Sequence, residues 1–233
     1  MMKNILFFIP ILLCSGMASA QQNVLLLPTI HKLHTENERY NYDSLRTIIA
    51  AYQPATIAVE IRKEDLGCDT EYLKRNYPRE MWMMSYWFPN VKIAGFDWLG
   101  KDIEGKRIPD NYWREQSEIK KWERALEADT KWSHLITPCN NLTQQRMRVL
   151  KTCTLNELLN SNDAALTTSY YSCLNRKLSG SVHHRVVEFY NARNERMIAN
   201  LKGIIKERRE KEKLLILTGD DHYPALKQGL QLK

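Results

Sequence analysis

Four residues that do chemistry each stand where an apolar run of this sequence gives out. They are His31 in Thr29-Ile30-His31, Glu60 in Ala58-Val59-Glu60, Asp97 in Gly95-Phe96-Asp97-Trp98, and His222 in Gly219-Asp220-Asp221-His222. Two imidazoles and a carboxylate (His31, Glu60, His222) are a ligand set for a divalent metal such as Mn, Co or Zn, with Asp97 or a water completing the shell. The same groups suit metal-free acid–base work on water. Glu60 is the most telling, because a carboxylate inside an apolar run is costly unless it has a partner. Arg193 and Asn194 join the set. Asn194 falls on the apolar stripe of a long helix, where a buried amide needs hydrogen-bond partners, and Arg193 beside it is suited to an acidic group or a developing anion. His34 and Tyr223, close after the two histidines, are expected on the substrate side. No Ser or Cys stands in a nucleophile motif, so water is the expected nucleophile.

The elements that must position these residues follow from periodicity. Asn23 to Thr29 (NVLLLPT) reads as a buried strand, and Thr56 to Ile61 (TIAVEI) as the next. Between them a helix capped by Asp43 carries Leu45, Ile48, Ile49 and Tyr52 at helical spacing and stops near Gln53, before Pro54. Strand, helix, strand is a βαβ unit, so the strands should be parallel. Val91 to Phe96 and Leu214 to Leu217 read as two more strands. Val186, Tyr190, Asn194, Met197, Leu201 and Ile205 define a long helix expected to reach about Lys211. Residues from about 109 to 184 hold Trp113, Trp122 and Trp132 among dense charges without a β-run, and are expected to form a helical insertion. The expected fold is α/β: an open, mainly parallel sheet with flanking helices and that insertion, in a single domain over 21–233. In such sheets ligands sit beyond the carboxyl ends of the strands, which is where all four acid and imidazole residues fall.

The N-terminus sets the compartment. A basic start, an apolar run from Asn4 to Leu13 and Ala18-Ser19-Ala20 form a signal peptide expected to be cleaved after Ala20. A secreted or periplasmic protein is expected, with no membrane span left after cleavage. Cys68, Cys139, Cys153 and Cys173 then remain; they allow three two-disulfide pairings, among which the sequence does not choose, and a staple is expected somewhere in the polar stretch from 139 to 173, which holds three of them. The net charge is +7, but its basic residues are interleaved with acids, as in Lys206 to Lys213, so nucleic-acid binding is not indicated. His183 and His184 are adjacent, point in different directions on a helix, and read as helix-entry residues.

The order of these motifs resembles the TraB/Tiki/ChaN/erythromycin-esterase-like superfamily. Members carry an early Gly-x-x-His after the first strand, a Glu ending the second, an Arg-Asn pair on a late helix and a second Gly-x-x-His near the C-terminus. Here these stand as Pro28-Thr29-Ile30-His31, Glu60, Arg193-Asn194 and Gly219-Asp220-Asp221-His222. The resemblance covers about 23–98 and 185–232 and departs at Pro28, which replaces the first glycine.

The resemblance implies two functions. One is hydrolysis of a peptide, ester or phosphoester substrate, metal-dependent as in Tiki-like members or metal-free as in erythromycin esterases. The other is haem or iron binding without turnover, as in ChaN-like proteins. There His34 and Tyr40 are the candidate axial ligands, and Met81-Trp82-Met83-Met84 with Tyr86, Trp87 and Phe88 is a candidate apolar wall.

Overall fold

The computed structural model describes residues 23–232. The expected signal peptide lies outside these residues. Four strands form one parallel sheet: β1 (Val24–Thr29), β2 (Thr56–Val59), β3 (Lys92–Gly95) and β4 (Leu214–Gly219), in the order β1-β4-β2-β3. The last strand of the chain thus inserts between the first two. It is buried along its whole length, which suits its unbroken apolar run. Pro28 is tolerated because β1 is an edge strand, where a missing N–H need not face a partner.

Period-two alternation divides the strands between two cores. Leu27, Ile57, Val59, Leu215 and Leu217 face one; Leu26, Ala58, Leu214 and Ile216 face the other. The first core is covered by α1 (Tyr42–Tyr52), α2 (Thr70–Asn76) and α3 (Arg79–Trp87), through Leu45, Ile49, Leu73, Met81 and Met84. The second is covered by α9 (Arg185–Glu207) and α10 (Tyr223–Gly229), through Met197, Leu201 and Leu226. The alternation thus tells the chain which helix packs on which face.

The middle stretch is helical, as expected: α4 (Glu118–Ala128), α5 (Thr130–Leu135), α6 (Thr137–Leu150), α7 (Leu155–Asn160) and α8 (Asp163–Leu178). It has a small core of its own, in which Leu126, Ile136, Leu174 and Leu178 pack on Val187 of α9. One disulfide, Cys139–Cys173, joins α6 to α8; Cys68 and Cys153 are unpaired, so the second bridge that the count allowed is not formed. His183 stands in the middle of a short 3-10 turn (Val182–His184) before α9 and bonds Asp129 at 3.3 Å, a helix-entry role as expected. Among the described residues no helix is long and apolar enough to cross a membrane.

β2 stops at Val59, short of Ile61, and β3 is trimmed to Lys92–Gly95; three further boundaries differ from expectation for local reasons. Asn41, rather than Asp43, caps α1 by accepting from Ser44 N at 2.9 Å. The long helix stops at Glu207, not near Lys211, because Arg208 turns extended and its guanidinium claims the carbonyls of Glu210 and Glu212. β4 runs two residues past Leu217, so the late glycine is part of the strand.

Candidate functional site

The strand order places the chemistry-bearing residues along one edge of the sheet: His31 after β1, Gly219 and His222 after β4, Glu60 after β2, Asp97 after β3. Glu60 and Asp97 sit under α9, which supplies Arg193 and Asn194. Glu60, Asp97 and His222 are each 5% exposed, whereas the His31 side chain is 37% exposed and forms the open side of the group.

Glu60 is fully engaged. Its Oε2 accepts from Gly219 N at 2.8 Å and Thr218 Oγ1 at 3.0 Å, and its Oε1 accepts from Arg193 Nη2 at 3.0 Å. Burial works against its ionisation, but His222, the Arg193 guanidinium, the His31 charge and the Gly219 N–H together hold its pKa down to about 2. Arg193 also grips Asp97, with Nε to Oδ1 at 2.9 Å and Nη2 to Oδ2 at 3.0 Å. Burial, reinforced by the charge of Glu60, pushes the Asp97 carboxyl up.

The two histidines are held in opposite states. His222 donates Nδ1–H to Asn194 Oδ1 at 2.6 Å, which leaves the Nε2 lone pair facing Glu60 Oε1 at 3.6 Å. Burial, with Arg193 nearby, lowers its pKa to about 4, so it is a neutral imidazole at neutral pH. His31 donates Nδ1–H to Glu80 Oε1 at 2.7 Å. Burial opposes its charge, but the Glu80 carboxylate outweighs that and raises its pKa to about 9. His31 also adopts φ +48°, an uncommon left-handed conformation for a residue with a side chain, and Tyr42 Oη holds its carbonyl at 3.3 Å.

The sequence reading missed Glu80. It is wholly buried on α3, accepts from Thr29 Oγ1 at 2.9 Å as well as from His31, and has its second oxygen, Oε2, buried without a hydrogen-bond partner. Its only sequence signal is an acid in the first turn of a Met- and Trp-rich helix.

His34 and Tyr40 do not present donors to a ligand, as was expected of them. His34 is buried, its Nε2 accepts from Ile30 N at 3.2 Å and its Nδ1–H donates to Tyr40 O at 2.6 Å. Tyr40 is wholly buried and donates to Pro28 O at 2.7 Å. These bonds hold the turn after β1 rather than a substrate. Tyr223 packs at the start of α10 against the second core and lines a different hollow, with Ala164 and Lys227. Met81 and Met84 are core residues, while Tyr86 is 55% exposed. A hollow of about 880 Å³ runs beside β3 and meets the site only at Asp97; His31, Glu60 and His222 do not line it.

Among the described residues no three His, Cys, Asp or Glu side chains form a metal-holding group. A guanidinium already sits on Glu60 and Asp97, and His31 turns to Glu80 as an imidazolium, which carries no free lone pair. Compared with protein-family models, curated proteins and solved structures, the chain finds no match.

Proposed function

We propose that this chain is an exported hydrolase that activates water between two histidines of opposite charge. The observation that carries the proposal is the placement of both imidazoles on one sheet edge, His222 with Nδ1 on Asn194 and Nε2 3.6 Å from Glu60 Oε1, His31 with Nδ1 on Glu80 at 2.7 Å; burial drives the first toward the neutral form, to about 4, and Glu80 the second toward the charged one, to about 9. Environments that drive two like groups apart mark the base and the acid. His222 Nε2 takes a proton from water as the water oxygen attacks a carbonyl or phosphoryl centre. The imidazolium formed is stabilised by the Glu60 carboxylate at 3.6 Å. A base at about 4 is weak at rest; it strengthens as the developing oxyanion draws Arg193 from Glu60, leaving that carboxylate to His222. His31 gives its proton to the leaving group, and solvent exchange restores both imidazoles. The order of motifs, which resembles the TraB/Tiki/ChaN/erythromycin-esterase-like superfamily, supports hydrolysis of an ester, peptide or phosphoester.

A second reading has its own observation. His222 Nε2 and Glu60 Oε1 face each other at 3.6 Å, and both would serve as ligands if a divalent metal were held between them. The haem alternative has no such support, since His34 and Tyr40 are occupied.

The test is turnover of a chromogenic ester, a chromogenic phosphoester and a fluorogenic peptide mixture by protein beginning at Gln21, with chelator and with Mn, Co or Zn. Turnover without metal, bell-shaped in pH and lost in His222→Ala and Glu60→Gln, is expected. Turnover only with metal, alongside stoichiometric metal lost in His222→Ala and Glu60→Gln, would favour the second reading. Silence with all three substrate classes, with and without metal, would remove the hydrolase reading.

A further inference from the structure

Arg146 ties the insertion to the loop that carries His222. Arg146, on α6, is 2% exposed. Its Nε donates to Asp163 Oδ1 at 3.0 Å, Nη2 to Asp220 Oδ2 and Nη1 to Asp221 Oδ1. Asp163 opens α8, whereas Asp220 and Asp221 are the middle residues of Gly219-Asp220-Asp221-His222. A guanidinium is costly to bury and is retained where carboxylates surround it. Here three do, and two of them are crowded. Asp220 and Asp221 are adjacent in the chain and share the two Nη groups of the one guanidinium.

The loop that Arg146 grips is short and already tied at both ends. Asp220 N donates to Thr29 O at 2.9 Å, next to the turn that carries His31, and His222 N donates to Gly219 O at 3.0 Å. Asp220 lies near enough to His31 that each bears on the other's charge. The helices behind Arg146 are braced in turn. The Cys139–Cys173 disulfide links α6 and α8, and Cys139 stands seven residues, about two turns, before Arg146, on the same face.

We infer that Arg146 is a positioning residue: through Asp220 and Asp221 it fixes the Gly219–His222 loop, and with it His222 against Glu60 and His31 against Gly219. The insertion then acts as a brace for the strand edge. The inference rests on the site reading above, but its test reads no turnover, so either can fail while the other stands.

The test is imidazole NMR titration of the chain from Gln21 with isotope-labelled histidine. Arg146→Met, Arg146→Lys, Asp220→Asn/Asp221→Asn and the triple variant are compared, each checked for fold by circular dichroism. In Arg146→Met the loop loses its cation, Asp220 leaves His31, and the His31 midpoint falls by about one pH unit. Arg146→Lys, which restores charge without the fork, recovers part of that. In the Asp220→Asn/Asp221→Asn background, adding Arg146→Met moves neither histidine further. Wild-type midpoints in folded Arg146→Met, or a full shift persisting in the acid-free background, would overturn the inference. Should Arg146→Met fail to fold, Arg146→Lys decides: wild-type midpoints there overturn it equally.

Discussion

The imidazole of His31 lies against the bare α-carbon of Gly219. A Cβ at 219 would stand 2.9 Å from His31 Cε1, 3.4 Å from Cδ2 and closer still to Nε2. The glycine of the late motif therefore serves the histidine of the early one. β1 and β4 are neighbours, with Thr29 beside Gly219 in register, so residues almost two hundred positions apart share one contact. Upstream, Pro28 lies in the buried run of β1 and His31 itself takes a left-handed step, at φ +48°.

Gly219→Ala should push the His31 ring off that surface and strain its bond to Glu80. Overpacking of this kind costs about 1–3 kcal/mol. Urea unfolding should show the loss, and the His31 midpoint should fall from about 9. Unchanged stability with an unchanged midpoint would mean that the ring rests elsewhere in solution.

The His31–Glu80 pair makes stability depend on alkaline pH. The folded pKa of His31, about 9, lies above its ordinary 6.5, so the stabilisation is complete below 6.5 and is lost as pH rises through 9. The ring is 37% exposed, so solvent screening reduces the contribution to about 1–2 kcal/mol. Glu80→Gln should flatten this dependence and bring His31 back toward 6.5. Urea unfolding of wild type and variant at pH 6 and pH 9.5 checks it, and parallel losses in the two proteins would contradict it.

The strands were legible because their runs are short and apolar, and the acids that follow β2 and β3 stood out as single charges in apolar surroundings. Glu60 and Asp97 are the clearest cases, and both meet Arg193. Glu80 was not legible. An acid beside Arg79 in a first helical turn is ordinary helix chemistry, and only the packing of α3 on the turn after β1 brings it to His31. Arg146 was hidden for a similar reason, since its three partners lie 17, 74 and 75 residues away. His34 misled in the other direction. Sequence shows an imidazole near the site, but not that both its nitrogens are spent on the backbone.

The disulfide gives a thiol count. Denatured, unreduced protein from Gln21 should show two reactive thiols, Cys68 and Cys153. Loop closure over a separation of 34 residues contributes about 4 kcal/mol in the chain-entropy account. Cys139→Ser should therefore unfold at clearly lower urea, while Cys68→Ser should hardly move the midpoint. Four thiols in the unreduced protein would show that the bridge does not form.

Asn194 fixes the tautomer of His222, whose neutral state comes from burial, and Asn194→Asp should reverse that state. The Asn194 Oδ1 accepts the Nδ1–H at 2.6 Å, and a carboxylate in its place would favour the imidazolium. In wild type the folded pKa of His222, about 4, lies below 6.5, so the unfolded chain binds the extra proton first. Stability should then fall as pH drops from 6.5 toward 4, by up to about 3 kcal/mol for a shift of this size. In Asn194→Asp the His222 midpoint rises, that acid loss shrinks, and the basic lone pair at Nε2 is protonated at neutral pH. Any hydrolytic rate should drop about 100-fold at pH 7 and recover in part at higher pH. Histidine NMR and urea unfolding at pH 4.5 and 6.5 read the change without a substrate. An Asn194→Asp protein whose His222 still titrates near 4 would show that burial outweighs even a carboxylate at that position.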